Sequence, residues 1–121
     1  MISGIVNNGH PTVSITFRLP NHPDFSIQFV IDTGFTGQLC LPSEVVALLD
    51  LPFKLTAPAN LANNTEVMLP IYEAIILWNG EERTVRVLGT GRRPLLGTAM
   101  LEEAELVIQF TEGGLVTIED L

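Results

Sequence analysis

The sequence predicts an all-β fold, a small barrel or sandwich carrying one or two short helices. Three observations point there. Apolar and polar residues alternate with period two over short runs, the pattern of half-buried strands. The runs are evenly spaced and separated by turns rich in Gly, Pro and Asn. One segment alone, opening at Pro42, carries a convincing helical stripe.

Ile2–Val6 is a short strand, and Asn7-Asn8-Gly9 after it is a turn, because Asn and Gly accept positive φ. Val13, Ile15, Phe17 and Leu19 then alternate with Ser14, Thr16 and Arg18 until Pro20–Asp24 breaks the strand. Phe25–Ile31 alternates first and ends fully apolar, as a strand entering the core does. Asp32–Gly37 is a loop and Gln38–Leu41 another short strand. Ser43 is placed to cap a helix whose stripe is Val45, Val46, Leu48 and Leu49, with Pro52 as its stop. Between Lys54 and Tyr72, Asn63-Asn64 marks a hairpin tip with its second arm over Thr65–Leu69, and Pro70 argues for an edge or bulge there. Tyr72–Trp78, Asn79-Gly80 and Thr84–Leu88 form a hairpin. Leu95-Leu96-Gly97 leads into a helical turn around Ala99–Glu103, with Glu102–Glu105 as its exposed end and loop. Leu106–Phe110, Gly113-Gly114 and Val116–Ile118 close the chain.

The 121 residues suffice for one domain, 1–121. Apolar residues reach 46% and charged ones only 17%, which excludes a charge-rich disordered chain. It also hints that a partner subunit covers some apolar surface. A net charge of −8, with six Lys and Arg in total, argues against nucleic acid and against an anionic membrane surface. No apolar run is long enough to span a bilayer and no leader pattern opens the chain, so a cytoplasmic location is expected. The lone Cys40 reads as a small core residue. His10 and His22 lack ligand partners at metal-binding spacing, so neither metal nor cofactor is expected.

Asp32 is the residue that needs a reason. A carboxylate at the end of the apolar run Phe29-Val30-Ile31 costs free energy unless it is hydrogen-bonded. The plain explanation is a turn in which Asp32 accepts bonds from its own backbone. Its context adds a second. An apolar strand, then Asp32-Thr33-Gly34, then a strand, and about sixty residues later Leu95-Leu96-Gly97 before a short helix together resemble the retropepsin-like aspartic proteases. The likeness is nearest to small bacterial and archaeal members that read Asp-Thr-Gly-Phe, as Asp32–Phe35 does.

That resemblance implies an acid-protease β-barrel, active as a homodimer on a peptide or protein substrate. Asp32 would be the catalytic acid or base. Thr33 would brace the two loops across the dimer axis, and Gly34 would let substrate or water approach. Leu95, Leu96 and Gly97 would support the loop. The hairpin near Ala59–Leu69 would be the flap over bound peptide, with Phe35, Asn63 and Asn64 touching substrate. The chain has four aspartates, Asp24, Asp32, Asp50 and Asp120, and only Asp32 lies in such a loop, so its mate must come from a second subunit.

Two positions depart from the viral enzymes. Phe35 stands where those usually carry Ala or Ser, and Gly97-Thr98-Ala99 lacks their arginine. The alternative is a catalytically silent peptide-binding or dimerisation module on the same fold. A further alternative, an unrelated β-barrel, would place Leu95-Leu96-Gly97 far from Asp32. Gly89–Arg93 lacks the order of a phosphate-binding loop, leaving Arg92 and Arg93 at the cleft rim or in solvent. Tyr72 and Trp78 are expected as core or interface aromatics.

Overall fold

The computed structural model describes residues 1–60 and 63–121, and they are mostly strand. The strands are β1 (Ile2–Asn7), β2 (His10–Arg18), β3 (Phe25–Ile31), β4 (Leu39–Leu41), β5 (Phe53–Asn60), β6 (Glu66–Trp78), β7 (Glu81–Gly89), β8 (Leu95–Leu96), β9 (Ala104–Ile108) and β10 (Leu115–Asp120). One α-helix, α1 (Ser43–Leu49), and a 3-10 turn at Thr98–Met100 complete the described elements.

The pairing order is β5-β6-β7-β4-β8-β3-β2-β1-β10-β9, and β6 also pairs with β2 through Thr16↔Leu77 to Arg18↔Ile75. The path β2–β3–β8–β4–β7–β6 therefore returns to β2. Inside that circuit lie Phe17, Phe29, Leu39, Leu41, Ile76, Val87 and Leu96, all essentially without solvent contact. Phe17 and Phe29 stack with ring centroids 6.0 Å apart. Period-two alternation places these side chains inward, and burying each contributes about 1.5–3 kcal/mol. The two ends of the chain pair with each other, Ile2↔Ile118 through Ile5↔Leu115. Among the described residues, no helix is long and apolar enough to cross a membrane.

Two turns follow their sequence signals. Asn8 and Gly9, and again Asn79 and Gly80, take positive φ and close two-residue hairpins, β1–β2 and β6–β7. Other details differ from expectation. The strand foreseen from Gln38 starts at Leu39, because the Gln38 carbonyl and side chain bond elsewhere. Ser43 does not cap α1. Pro42 occupies the cap position and Ser43 is the first helical residue, with no side-chain cap bond. The helix buries Val46 and Leu49 and leaves Leu48 80% exposed. It ends at Asp50, whose left-handed φ of 52° turns the chain before Pro52 is reached.

Pro70 lies at an edge, one of the two placements expected of it. β6 runs through it, because over Glu66–Pro70 the strand has β5 as its one neighbour and no ladder partner needs the missing N–H on the other side. The irregularity lies instead between Phe53 and Leu55 on β5. Glu102–Glu105 is not a helix end. Glu103 takes a positive φ of 58° and β9 begins at Ala104. Tyr72 and Trp78 are half-buried against the core, and Tyr72 meets Phe53 edge-on.

Candidate active site

Asp32 sits where β3 leaves the core. The preceding residues are locked on both sides: Phe29 and Ile31 are buried, and β3 runs parallel to β8 with Val30↔Leu95 and Ile31↔Leu96. The Val30 amide donates to the Pro94 carbonyl at 3.0 Å and the Asp32 amide to the Leu96 carbonyl at 2.9 Å. The Asp32 side chain is half-buried, and its Oδ1 accepts the Gly34 N–H at 2.9 Å. The Phe35 amide donates to the Asp32 carbonyl at 3.1 Å. This is the self-bonded Asx turn that the plain reading expects. The chain alone therefore satisfies one carboxylate oxygen through its own backbone. Thr33 and Gly34 are exposed beside it.

Leu95-Leu96-Gly97 lies against the loop, not far from it as the unrelated-barrel alternative expects. Leu96 is fully buried and Leu95 half-buried. β8 also pairs antiparallel with β4, Leu39↔Leu96 and Cys40↔Leu95, so it is clamped between the two strands that flank the loop. Three further bonds close the loop over β8: Gly97 N–H to the Gln38 carbonyl at 2.8 Å, Thr98 N–H to that of Phe35 at 2.9 Å, and Ala99 N–H to that of Gly37 at 3.2 Å. Gly97 has no room for a side chain. A Cβ there would overlap the Gly37 carbonyl oxygen and lie 2.7 Å from the Phe35 ring. Phe35 is half-buried, its ring wedged against Gly37 and Gly97.

Two cavities border this loop. One, about 630 Å³, runs between Gly34–Cys40 and the β5–β6 hairpin, where Ala57, Pro58, Ala59, Asn60, Leu69 and Ile71 form the opposite wall. Phe35 lines it as well as filling the loop. The other, about 480 Å³, is bordered by His10, Val30, Ile31, Asp32, Arg92, Arg93 and Leu95. Both are open to solvent. Asp32 is the one carboxylate among the described residues lining either of the two.

Asn63 and Asn64 are exposed at the hairpin tip, as the spacing anticipates. The Asn63 Oδ1 accepts the Thr65 N–H at 3.2 Å and also the Thr65 hydroxyl, which fixes a turn. Neither residue lines the groove. Residues 61 and 62 of the expected Ala59–Leu69 flap lie outside the described residues. Among the described residues, no group of three or more His, Cys, Asp or Glu gathers to hold a metal ion.

Sequence reasoning missed several neighbours of Asp32. His10 is exposed, and its Nε2 lies 2.9 Å from Arg93 Nη1, with both lining the Asp32 cavity. Gln38 accepts the Arg86 N–H on Oε1 at 2.7 Å, tying the loop to β7. Cys40 is buried as expected, but it also lines the larger cavity and its thiol donates to the Thr90 carbonyl at 3.2 Å. Burial pushes that thiol up, and the charge of Asp32 adds to the push. No short-range sequence signal links His10 to Arg93. Only the β2–β3–β8 pairing brings them together.

No family model matches the chain, and no curated protein does. Among solved structures, the fold is similar to that of a retropepsin-like aspartic protease from Rickettsia conorii, with a TM-score of 0.59, 98% of this chain and 90% of that chain covered, and 18% identity. The mostly β architecture described above is thus one that an aspartic protease also adopts.

Proposed function

We propose that this chain is a homodimeric aspartic endopeptidase with a retropepsin-like β-barrel, the closed pairing path through β2, β3, β8, β4, β7 and β6 being that barrel. The observation that carries the reading is the position of Asp32. It is the one acid among the described residues lining the cavity shared with His10, Arg92 and Arg93, on a loop braced by β8 whose next residues, Gly34–Cys40, line the adjoining groove under the β5–β6 hairpin. The fold similarity to an aspartic protease supports it.

Peptide hydrolysis without a metal needs one carboxylate to activate water and one carboxylic acid to protonate the carbonyl. A two-fold axis beside Asp32 supplies both from identical residues. Two such groups about 3 Å apart share one proton, and the pair titrates as a unit. Thr33, exposed and without a side-chain hydrogen bond among the described residues, is the residue to bond across that axis. Gly34 keeps the approach to Asp32 open. The β5–β6 hairpin is the flap under which an extended peptide lies, pairing through its backbone.

The test is cleavage of a diverse peptide library from acid to neutral pH. Asp32→Asn is expected to lower the rate at least about a hundredfold, the scale of a lost acid–base group, while preserving the circular dichroism spectrum. Mixing wild type with excess D32N is expected to depress wild-type activity, since mixed dimers hold one carboxylate. An unaltered rate in D32N rejects the assignment, and a fully active strict monomer rejects the shared site.

A further inference from the structure

Six cations serve a chain with 14 carboxylates, and they are not spread evenly. Arg18 is paired with Asp24 and Glu82, and Lys54 with Glu73, on the outer surface. Arg83, Arg86, Arg92 and Arg93 have no carboxylate within ion-pair distance among the described residues, and of these four Arg92 and Arg93 are the two that border the Asp32 cavity. In so acidic a protein, two adjacent unpaired arginines next to the candidate catalytic group leave a local positive field against a negative background.

These arginines are also held in place. Gly91 turns the chain with a φ of +87°, and Pro94 directly after them is bonded to the Val30 amide. They therefore hang from the fixed edge that positions Asp32 itself. A guanidinium only donates, so the 2.9 Å contact of Arg93 Nη1 with His10 makes Nε2 the acceptor and puts the ring proton on Nδ1. That bond steadies one prong of Arg93. Its remaining N–H groups, and all those of Arg92, stay available for a planar anion, and the carboxylate is the one a peptide side chain offers.

Resting on the protease reading above, we infer that Arg92 and Arg93, with His10 as the positioning residue, form a subsite selecting peptides that carry an acidic side chain near the scissile bond. A two-fold dimer presents the subsite on both sides of the paired aspartates. Exposure of both arginines makes the selection moderate and sensitive to salt.

The experiment compares matched peptides that differ by Glu or Gln at each position around a cleaved bond. Wild type is expected to favour Glu at one or more positions by roughly five- to tenfold in kcat/KM, less at high salt. Arg92→Gln with Arg93→Gln is expected to remove the preference and keep cleavage of the Gln peptide. Arg18→Gln, a distant charge change, is expected to leave it intact. His10→Ala is expected to weaken the preference through KM with kcat retained. Three results overturn the inference: no preference in wild type, a preference unchanged in the double variant, or a double variant that loses dimerisation and both activities together. Fluorescence anisotropy of the same peptides on D32N reads binding apart from hydrolysis. Tighter binding of the Glu peptide by D32N, with no cleavage by wild type, sustains the subsite and overturns the protease reading.

Discussion

The amide of Asp32 donates to the carbonyl of Leu96 at 2.9 Å. Through this bond the residue that leaves β3 is fixed by a strand some sixty positions later in the chain. β8 is only two residues long, yet it touches both strands that carry the loop. Disturbing it is therefore expected to disturb Asp32 without touching the carboxylate.

Gly97→Ala is the sharpest disturbance. The new methyl group meets backbone, the Gly37 carbonyl, which has no rotamer to escape through. The expected cost is about 1–3 kcal/mol, the range for overpacking a tight site, read as a lower urea midpoint with an unchanged m-value. Peptide cleavage should fall further than the loss of folded protein explains, because the loop rides on Gly97. A neutral result would show that the loop has slack.

Leu96→Ala and Leu48→Ala separate packing from surface. Leu96 is wholly buried and Leu48 is 80% exposed. The first is expected to cost about 2–5 kcal/mol and the second less than about 0.5 kcal/mol. Thermal denaturation of the two variants side by side checks this. A large loss at Leu48 would mean that α1 is covered by a partner.

Cys40 gives a prediction in pH. Its thiol is pushed above the ordinary range by burial and by Asp32, so the folded chain holds the thiol proton more tightly than the unfolded one. The resulting stabilisation is present below the ordinary thiol pKa and is lost as pH rises through the folded value. Stability should decline over that alkaline window, and Cys40→Ala should remove that part of the slope. Iodoacetamide should label the native thiol at least about tenfold more slowly than the urea-unfolded one. D32N, by deleting a nearby negative charge, should speed labelling. Faster labelling of the native form than of the unfolded one would contradict the placement of Cys40.

Much of this was legible in the residues, and particular cases show why. Asn79-Gly80 announced its hairpin because a two-residue turn needs positive φ at both positions, a local demand that local sequence meets. Phe25–Ile31 announced its strand and its entry into the core through the change from alternating to continuous apolar residues. Ser43 misled because capping depends on where the backbone turns, and Pro42, with its φ preset near helical values, took the position. Pro70 announced an edge, because its missing N–H is tolerated where a neighbouring strand is absent, and over Glu66–Pro70 β6 pairs with β5 alone. The Asp32 turn and its Leu-Leu-Gly brace were visible as motifs. The contact between His10 and Arg93 was not, since 83 positions separate them and two strand pairings, β2–β3 and β3–β8, must form first.

The unequal pairing of β6 has a mechanical consequence. From Ile71 to Trp78 the strand pairs with β7, joined by β5 at Ile71 and Tyr72 and by β2 at Ile75–Leu77, whereas from Glu66 to Pro70 it leans on β5 alone. Such a ribbon is a cantilever, clamped at its root and loaded at its tip. Bending stiffness drops where the third strand stops, so the fulcrum falls at Pro70–Ile71, beside the groove wall that Leu69 and Ile71 supply. Amides outboard of that fulcrum should exchange with deuterium sooner than those of the β6–β7 ladder, and the closed circuit of strands beneath need not yield for the arm to swing.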